Sequence, residues 1–557
     1  MELVKGVKKS ETLELAELLE EGVKGQTVKV NGAVHTIRDM GTVAFVILRK
    51  RGGLVQCVYE KGVSGFDLKD VKEGATIEVT GIAAESEKAP HGIEIRLRGI
   101  RILSEPAAPM PLPIAKWKLN TSLEAKLNYR PVSLRNLRER AGFRIQEGLV
   151  RGFRDFLYSE GFTEIHTPKI GAKSAEGGAN LFRLDYFHRP AVLQQSPQFY
   201  KQMMVGVFDR VFETAPVFRA ENHNTKRHLN EFPSLDFEMG YFDGFEDVMA
   251  METGYLQYTM KLLEEEYADE IRILGIELPE TEDIPAVRFD EIKKLVSEEY
   301  GRKIRSPYDL EPEEEVLISR YAKEKWDADF VFVTHYPSRK RPFYAMDDPQ
   351  DPAYTLSFDL LFRGMEITTG GQRIHDYHML LEKMAQRGMT EEGMEQYLNT
   401  FKYGMPPHGG LGIGLERLTM KLTGDDNERE TTLFPRDMSR LEPKKITESA
   451  IERSVKGETV MANKISDETI EYVGILAKLE LSDTEKEAAK ADMEKMLDYI
   501  DTLNELDTSG IEPMSHVFPV NNVFREDVVA NGDGRDQTLA NAPQRKEDSF
   551  EVPRTIG

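Results

Sequence analysis

Hydrophobic and polar residues alternate along residues 26–105, in short runs separated by glycine-containing turns. The runs include TVKVNGAVHTIR, TVAFVILRK and GIEIRLRGIRIL. Alternation with a period of two is typical of strands that bury one face. Five such runs predict a small β-barrel, for which an OB-fold is the natural candidate. Many OB-folds bind nucleic acids, but a barrel with another role fits this pattern equally well.

The pattern changes after the barrel. Four prolines within residues 106–116 predict a linker, because proline fixes φ and cannot continue a helix. Apolar residues then recur at Ile145, Leu149 and Phe153, which predicts a helix over residues 139–158 with one buried face. From there to about residue 443, helical and extended segments mix without βαβ regularity. Segments such as VLQQSPQFY, RVFETAPVFRAE and SLDFEMGYF predict strands of an antiparallel sheet.

A third region with a different composition begins at Met461, after a charged stretch without clear periodicity over residues 444–460. Ser482 and Glu485 form a plausible helix capping box. Apolar residues then repeat at helical spacing, at Met493, Met496, Leu497, Ile500 and Leu503. Beyond Asp507 the chain is rich in proline and loop-like, and such a tail is better suited to wrapping around a partner than to building a core.

Composition narrows the class of protein. The 557 residues suggest three or more domains. Nothing approaches the ~20 apolar residues that span a bilayer, and the N-terminus lacks the apolar core of a signal peptide. The single cysteine, Cys57, excludes an intrachain disulfide. We therefore expect a cytoplasmic protein without membrane association.

The net charge of −23 at first argues against a nucleic-acid partner. The acidic residues are unevenly distributed along the chain, however. Residues 461–557 hold 10 Lys and Arg against 21 Asp and Glu, whereas residues 1–105 hold 16 of each kind. Binding of a polyanion needs local basic surface rather than a basic whole.

Familiar nucleotide motifs are missing. The sequence has no GxxxxGK[ST] phosphate loop and no HExxH, and the GxGxG string at Gly410–Gly414 lacks the spacing of a dinucleotide fingerprint. The chemistry must therefore be inferred from segments that lie far apart.

Three such segments occur in order: GFTEIHTPKI with Pro168, FRAENHNTKRHLNEF ending at Phe232, and GIGLERL from Gly412 to Leu418. Together they resemble the three signature motifs of class II aminoacyl-tRNA synthetases. Over residues 15–443 the chain is most similar to aspartyl-tRNA synthetases of the type shared by archaea and eukaryotes. The resemblance implies an enzyme that activates L-aspartate with ATP and transfers it to tRNA. It also implies a homodimer formed through the Pro168 segment.

The resemblance assigns the catalytic roles to Arg219, Glu366 and Arg417. Arg219 matches the arginine that grips the α-phosphate and the substrate carboxylate, and Arg417 matches the one that holds the γ-phosphate and covers the adenine. A guanidinium fork suits such oxyanions. Glu366 and Thr369 match the oxygen ligands of Mg²⁺. The ATP-binding residues are then Arg219, Glu221, His228, Phe232, Glu366, Gly414 and Arg417.

The amino-acid substrate is assigned in the same way. Lys201 in QQSPQFYKQ falls where aspartyl enzymes place a lysine, and Arg373 supplies a second cation. Two buried cations facing a neutral amide would be left unpaired, at a cost of several kcal/mol, which favours aspartate over asparagine. Glu176, Gln198 and Asp236 match the residues that receive the ammonium group. The aspartate-binding residues are Glu176, Gln198, Lys201, Arg219, Asp236 and Arg373.

The barrel would read the anticodon. Phe45 and Gln56 match residues that stack on and hydrogen-bond the central uridine. His35 stands where enzymes strict for tRNA-Asp tend to have tryptophan, and Pro90 also fits the relaxed pattern. The resemblance therefore implies a non-discriminating enzyme that aspartylates tRNA-Asp and tRNA-Asn.

Residues 461–557 resemble the C subunit of the tRNA-dependent amidotransferase GatCAB, including the LDTSGIEP and FREDVV segments. In that family the small subunit carries no chemistry but clasps the amidase subunit and steadies its contact with the kinase-like subunit, and the complex converts Asp-tRNA-Asn to Asn-tRNA-Asn. The resemblance implies GatA and GatB as partners. A fusion would join the producer of the substrate to part of its consumer.

The predicted fold class is α+β. Residues 1–105 form an OB-fold anticodon-binding domain, 106–138 a hinge, and 139–443 an antiparallel-sheet catalytic domain with flanking helices. Residues 444–460 form a linker, and 461–557 a small helical module with an extended tail. Three alternatives stay open: a discriminating synthetase with an incidental fusion, a tRNA-independent asparagine synthetase paralogue, and a non-catalytic scaffold of the amidotransferase. The paralogue typically lacks the barrel, and the intact Arg219, Glu366 and Arg417 argue against the scaffold.

Overall fold

The computed structural model describes residues 11–175, 180–222, 225–442 and a few short stretches between 482 and 550. The chain divides into two compact units, Met1–Val460 and Met461–Gly557. No helix in the described part of the chain is long and apolar enough to cross a membrane.

The alternating N-terminal runs form a closed five-stranded barrel, in the order β1-β2-β3-β5-β4. Inward-facing residues such as Val30, Val46 and Ile95 are fully buried in its core. A short helix, α1 (Leu15–Leu18), adds two leucines to this core. The strands are β1 (Thr27–Asp39), β2 (Val43–Lys50), β3 (Gly53–Glu60), β4 (Thr76–Glu85) and β5 (Ile93–Ser104).

The segment predicted as a hinge is packed rather than loose. It contains α2 (Leu123–Asn128) and α3 (Arg130–Ser133). The buried guanidinium of Arg130 donates to the carbonyls of Leu433, Thr432 and Glu430 at 2.7 to 3.1 Å. A buried arginine fixes this segment because leaving its donors without acceptors would be costly.

The largest sheet among the described residues has eight strands, in the order β12-β13-β14-β15-β16-β11-β10-β6. Neighbouring strands are antiparallel except for the β12–β13 and β10–β6 pairs at the two edges. Its strands are β6 (Thr163–Glu164), β10 (Arg210–Phe218), β11 (Glu231–Gly240), β12 (Ala286–Arg288), β13 (Phe330–Thr334), β14 (Ser357–Phe362), β15 (Met365–Arg373) and β16 (His408–Gly414). A separate three-stranded sheet contains β7 (Ile170–Gly171), β8 (Arg183–Tyr186) and β9 (Arg189–Leu193).

Helices surround the large sheet: α4 (Leu137–Ser159), α5 (Gln198–Phe208), α6 (Phe245–Glu266), α7 (Ala268–Leu274), α8 (Phe289–Tyr300), α9 (Pro312–Trp326), α10 (Tyr377–Gln386), α11 (Glu395–Lys402) and α12 (Leu415–Thr423). Helix α4 matches the predicted helix and begins where the Asn136 side chain caps the N–H groups of Arg138 and Glu139. The strand predicted for VLQQSPQFY is wrong after Leu193, because Pro197 caps the start of α5 instead.

One face of the sheet is sealed by α4 and α6. The Phe153 ring packs edge-on against Phe212 and Tyr255 at centroid distances of 5.8 and 5.2 Å. Successive residues of a strand point to opposite faces. On β11, Leu235 and Phe237 therefore enter this core, and Asp236 and Glu238 point to the other face.

Little of the second unit is described. The backbone N–H of Ser482 donates to the Glu485 carboxylate at 2.8 Å, as in a capping box. Two short strands, β17 (Arg545–Lys546) and β18 (Ser549–Phe550), pair antiparallel. The predicted apolar repeat from Met496 to Leu503 and the linker over residues 444–460 lie outside the described residues.

Glu252 of α6 is a buried carboxyl group behind strand β15. The Thr368 hydroxyl donates to its Oε1 atom at 2.6 Å. Burial raises the pKa of Glu252 to about 8, although the Thr368 hydrogen bond opposes this shift. The folded protein therefore keeps a proton that the unfolded chain loses above pH ~4.3, so stability falls as the pH rises from there towards 8.

We predict that Glu252→Gln removes this loss, because an amide has no proton to release. Relative to wild type, the free energy of unfolding of the variant should rise by about 3 kcal/mol between pH 5 and pH 7.5. Urea titrations at the two pH values measure this difference. Glu264→Gln, at an exposed position of the same helix, is the control. A difference between Glu252→Gln and wild type that is independent of pH would contradict the assignment.

Candidate active site

A cavity of about 420 Å³ opens on the face of the sheet opposite α4 and α6. The N-terminal turns of α5 and α12 complete its walls. All the described residues predicted for the amino acid, ATP and metal line it: Gln198, Lys201, Arg219, Glu221, His228, Phe232, Asp236, Glu366, Thr369, Arg373, Gly414 and Arg417. Glu176 lies outside the described residues.

Lys201 is buried at one end of the cavity, on the first turn of α5. Its ammonium group donates to Asp236 Oδ1 at 2.9 Å and to the Leu411 carbonyl at 2.8 Å. A second carboxylate oxygen, Glu238 Oε2, lies 3.4 Å away and forms an ion pair with this ammonium group without a hydrogen bond. The lysine is thus held by strands β11 and β16 and points towards the same face as Asp236.

Arg373, the second predicted cation, ends strand β15 beside Lys201. Its Nε atom donates to Glu238 Oε1 at 2.9 Å and its guanidinium donates to the Gly410 carbonyl at 2.9 Å. Burial raises the pKa of Glu238, but the charges of Arg373 and Lys201 outweigh it and hold this pKa below its usual value. Glu238 is therefore ionised, and the two cations face two carboxylates.

The pairing of these four charged side chains corrects what the sequence predicts about the two cations. Both cations already have carboxylate partners within the protein, so a neutral amide substrate would not leave the two of them unpaired, as the sequence argument expects. Glu238 was missed, although its spacing of two from Asp236 on a strand placed it on the same face. We refer to Lys201, Asp236, Glu238 and Arg373 as the charge quartet.

The GxGxG string makes room for the charge quartet. In the antiparallel pairing of β11 and β16, Gly412 lies opposite Asp236 and Gly410 lies opposite Glu238. A Cβ at Gly410 would clash with the Phe237 backbone carbonyl and with the Glu238 carboxylate, and one at Gly412 would lie 3.1 Å from Asp236 Oδ1. A larger residue at Gly410 would therefore disturb both strand β11 and this carboxylate.

Two polar atoms that line this end of the cavity, Asp236 Oδ2 and Gln198 Nε2, are buried without a hydrogen-bond partner. Glu238 Oε2, behind them, also lacks a hydrogen bond, although Lys201 Nζ lies 3.4 Å away. Buried polar atoms are nearly always satisfied, so such exceptions indicate a ligand. A free carboxylate oxygen accepts an ammonium group, and a side-chain amide donates to an oxygen. This end of the cavity therefore suits the polar groups of an amino acid.

Arg219 lies where β10 ends, and its side chain is half exposed to the cavity. Its guanidinium carbon is 5.4 Å from the centre of the Phe232 ring. Its nearest carboxylate, Glu221 Oε1, is 4.0 Å away, and Glu221 Oε2 is in turn 3.4 Å from His228 Nε2. The backbone N–H of Arg219 donates to the Asn230 carbonyl at 2.9 Å, which fixes the hairpin that carries these residues. The weakly held arginine is available to an anionic ligand.

Arg417 occupies the opposite side, on the first turn of α12. Its Nε donates to Glu428 Oε1 at 3.1 Å and its terminal nitrogen donates to the Glu366 carbonyl at 3.1 Å. Burial lowers the pKa of Arg417, but the charges of Glu366 and Glu428 outweigh it and the pKa is raised. Gly414 caps this helix, and a Cβ there would contact the Arg417 side chain at 3.5 Å. Arg417 is therefore a fixed cation.

Glu366 and Thr369 lie together on β15, and the Thr369 hydroxyl donates to Glu366 Oε1 at 3.1 Å. Asp359 lies opposite Thr369 on β14, and burial raises the pKa of Asp359 to about 6. Among the described residues no group of three or more His, Cys, Asp or Glu is placed to hold a metal by itself. Two oxygen ligands nevertheless fit Mg²⁺, which keeps several waters and is completed by substrate phosphates.

Other cavity residues escaped the sequence prediction. Arg227 pairs with Glu315 at 2.6 Å, and Arg341 pairs with Asp359 at 2.7 Å. Arg227 stands inside the predicted FRAENHNTKRHLNEF segment, which was a usable signal. Glu315, Arg341 and Asp359 come from distant segments of the chain that contain no local motif.

The four predicted anticodon residues lie on the barrel. Ile47 is opposite Gln56 in the β2–β3 pairing, so Phe45, two residues earlier, shares a face with Gln56. The Gln56 amide donates to Glu94 at 3.3 Å. His35 is buried on β1, where burial and the charge of Arg49 lower its pKa to about 4. Pro90 begins the turn between β4 and β5.

Family models match three parts of the chain. The model for class II tRNA synthetases (D, K and N) matches residues 122–438, and an OB-fold nucleic acid binding domain matches residues 28–103. The chain belongs to the class II tRNA synthetase family. It is an aminoacyl-tRNA ligase of a family that uses ATP as a substrate, which confirms the predicted α+β fold and enzyme class. The Glu-tRNAGln amidotransferase C subunit matches residues 481–552 of this synthetase.

Several known proteins align with this chain over most of their own length. The aspartate–tRNA(Asp/Asn) ligase of Deinococcus radiodurans is 48% identical over 426 residues, which are 75% of this chain and 96% of that protein. The enzyme of the same name from Thermus thermophilus is 47% identical, over 75% of this chain and 97% of the relative. The aspartate–tRNA(Asp) ligase of Pyrococcus furiosus is 41% identical, over 77% and 98%.

Two solved structures show the same fold. Asparaginyl-tRNA synthetase from Pyrococcus horikoshii, complexed with asparaginyl-adenylate, has a TM-score of 0.71 and 31% identity, and covers 78% of this synthetase and 100% of that chain. Aspartyl-tRNA synthetase from Entamoeba histolytica has a TM-score of 0.68 and 31% identity, over 78% and 93%.

We predict that Arg219→Ala slows amino-acid activation because the variant lacks a half-exposed, weakly held cation that faces the cavity. Loss of a comparable electrostatic group costs about 2–3 kcal/mol, or roughly 30- to 150-fold in kcat/KM. Amino-acid-dependent exchange of pyrophosphate into ATP measures this step. Arg272→Ala, on the exposed side of α7, is the matched control. Wild-type kcat/KM in Arg219→Ala would refute the role.

Proposed function

We propose that this synthetase activates L-aspartate with ATP and transfers it to tRNA-Asp and tRNA-Asn. The observation that carries the amino-acid part is the buried charge quartet with its unpartnered Asp236 oxygen. The names of the Deinococcus and Thermus relatives, aspartate–tRNA(Asp/Asn) ligase, support the same substrates.

Charge balance selects aspartate over asparagine. The ammonium group of the substrate pairs with Asp236, which leaves Lys201 and Arg373 facing Glu238 and one further negative charge. The side-chain carboxylate of aspartate supplies that charge, so three cations meet three anions. Asparagine leaves one net positive charge buried, which costs several kcal/mol.

In the activation step the α-carboxylate of aspartate attacks the α-phosphorus of ATP. An oxygen–phosphorus bond forms, the bond to the β-phosphate bridge breaks, and pyrophosphate leaves. Arg219 neutralises charge at the α-phosphate and Arg417 holds the γ-phosphate, so the protein supplies alignment and fixed charge rather than a base. Glu366 and Thr369 would hold Mg²⁺, which neutralises phosphate charge when bound. Phe232 offers its ring to the adenine, and Glu221 and His228 border the same site.

Transfer of the activated amino acid to tRNA follows on the same face of the large sheet. A hydroxyl of the terminal tRNA ribose attacks the carbonyl carbon of the adenylate, an ester forms, and AMP leaves. The barrel offers Phe45 and Gln56 on one face for stacking and hydrogen bonding to an unstacked anticodon base. This tRNA-dependent second step distinguishes the proposal from an asparagine synthetase. A homodimer built on the Pro168 segment and a cytoplasmic location remain predictions from the resemblance.

The relaxed tRNA specificity rests on His35 and Pro90. We predict that separate tRNA-Asp and tRNA-Asn transcripts both accept aspartate. In His35→Trp, charging of tRNA-Asn should fall at least tenfold relative to charging of tRNA-Asp, because enzymes strict for tRNA-Asp tend to have tryptophan at this position. Initial rates with radiolabelled aspartate measure both. Absence of aspartylation of tRNA-Asn by the wild-type chain would remove the relaxed-specificity part of the proposal.

The C-terminal unit adds a second role. We propose that residues 461–557 bind the GatA and GatB subunits and keep Asp-tRNA-Asn close to the amidotransferase. Tethering raises the effective concentration without a new contact at the active site. The match of residues 481–552 to the amidotransferase C subunit supports this role.

We predict that the full chain, with GatA and GatB as the only added proteins, forms Asn-tRNA-Asn from tRNA-Asn, aspartate, glutamine and ATP. A chain ending at residue 460 should still aspartylate tRNA but should not support amidation, since the module that clasps the two subunits is gone. Thin-layer separation of the released amino acids measures the product. Equal amidation with both chains would show that the fused module is incidental.

A further inference from the structure

Helix α9 carries a buried carboxylate that belongs to none of the three motif segments. Glu315 lies in the first turn of this helix. Its Oε2 atom accepts a hydrogen bond from the Arg227 guanidinium at 2.6 Å and another from the backbone N–H of Glu366 at 3.1 Å. A single oxygen atom therefore joins the loop between β10 and β11 to strand β15.

Strand β15 is irregular where Glu315 meets it. The register of the β14–β15 pairing shifts between Leu360 and Leu361, opposite Glu366, as at a β-bulge. Bulges are common beside active sites, where they re-aim a side chain. The carbonyl of Glu366 accepts from Arg417 at 3.1 Å. Side chains of two helices therefore hold both polar backbone groups of Glu366, and this fixes the position from which its carboxylate enters the cavity.

The loop that Glu315 holds is the one that carries His228. Arg227 stands one residue before His228, and both line the cavity. The same loop has a second attachment, because the Thr225 carbonyl accepts from Arg429 at 2.9 Å. This backbone contact keeps the loop attached without Glu315, whereas the contact of Glu315 with Arg227 fixes the side chains next to the nucleotide.

Glu314, the preceding residue of α9, gives a built-in comparison. It is also buried, but its carboxylate accepts from Lys293 of α8 at 3.1 Å and from the backbone N–H of Glu311 at 2.8 Å. These partners fix the start of α9, whereas Arg227 and Glu366 line the cavity. The two adjacent acids thus serve different parts of the fold.

Simple electrostatics would disfavour Glu315 at this place. A carboxylate behind a cavity for a triphosphate repels that ligand, so its burial there needs another reason. We propose that Glu315 is a positioning residue for ATP, which holds Glu366 of β15 and the loop residue Arg227 in the arrangement that receives the triphosphate. Such support from outside the cavity is what keeps binding groups in a productive geometry. This inference rests on the proposed ATP-dependent function.

Calorimetric titration with ATP and Mg²⁺, without an amino acid, tests this arrangement apart from catalysis. In Glu315→Ala the Kd for ATP should rise about tenfold, the loss expected when hydrogen bonds between charged groups are removed. Glu315→Gln keeps an oxygen acceptor at the same distance, so its Kd should stay within about twofold of wild type. An unchanged or lower Kd in Glu315→Ala would overturn the proposal, since a carboxylate that only repels ATP gives the lower value.

A double-mutant cycle tests the link to the loop. In the wild-type background, Arg227→Ala should weaken ATP binding because the loop loses its attachment to α9. In the Glu315→Ala background that attachment is already gone, so Arg227→Ala should change the Kd by less than about twofold. Effects of the two substitutions that multiply independently would contradict the link.

Kinetics separate positioning from stability. In pyrophosphate exchange, Glu315→Ala should raise the KM for ATP and leave the KM for aspartate unchanged, because the charge quartet lies at the other end of the cavity. Glu314→Gln is the matched control: it should lower Tm, since Lys293 loses its buried partner, and leave both KM values unchanged. A change in Tm alone for Glu315→Ala, or an equal rise of both KM values, would show a merely structural role and refute the proposal.

Failure of this inference and failure of the proposed function give different results. If wild-type enzyme exchanges pyrophosphate with aspartate and Glu315→Ala binds ATP as tightly as wild type, only the positioning role is refuted. If wild-type enzyme binds ATP with the expected dependence on Glu315 but exchanges no pyrophosphate with aspartate, the positioning role stands and the proposed activation of aspartate fails.

Discussion

Electroneutrality of a buried set of charges is the constraint on which the rest of the site depends. Lys201 and Arg373 are almost fully buried, and each is held by a carboxylate from β11. Breaking one partner of such a set strands an unpaired charge, which typically costs 3–5 kcal/mol. The sheet must therefore keep β11, β15 and β16 in a single register, and the glycines of β16 make this possible because they leave room for the two carboxylates.

The same constraint links the fold to specificity. An amino acid adds its own charges to the charge quartet, and only some sets of charges balance. In the proposed function, aspartate brings one ammonium and one side-chain carboxylate, which keeps the buried sum at zero, and its α-carboxylate is assigned to Arg219. The ATP end of the cavity works differently. Arg219 is half exposed there, and Arg417 is preset by Glu428, so this end is ready for a triphosphate rather than closed around its own ion pairs.

Much of the fold was readable from sequence because it rests on local periodicity. The alternating runs gave the barrel, and the repeat through Ile145, Leu149 and Phe153 gave helix α4. Helix α5 was misread as extended because QQSPQFYKQ is short and its decisive signal is Pro197. Residues of the candidate site could be predicted only where the sequence contains a recognisable motif. Glu238, Glu315, Asp359 and Glu428 act through pairing across strands and helices, and no local pattern specifies such partners.

The pairing also shows why Lys201 and Arg373 could be recognised but not correctly described from sequence. A lysine in a motif predicts a cation, whereas its net effect depends on acids from other strands. Here those acids convert an apparent excess of positive charge into a neutral set, which under the proposed function aspartate leaves neutral and asparagine does not. In that proposal, selectivity between the two amino acids depends on the whole charge quartet, and Asp236 is as important to it as the two cations.

Amino-acid-dependent pyrophosphate exchange with aspartate and with asparagine, in wild type and in Lys201→Leu, tests this account most directly. Wild-type enzyme should show kcat/KM for aspartate at least ~100-fold above that for asparagine, as expected for one buried charge of several kcal/mol. Lys201→Leu should lose most of this ratio, with a far larger rise in KM for aspartate than for ATP. Comparable exchange with asparagine by the wild-type enzyme would contradict charge balance as the basis of specificity.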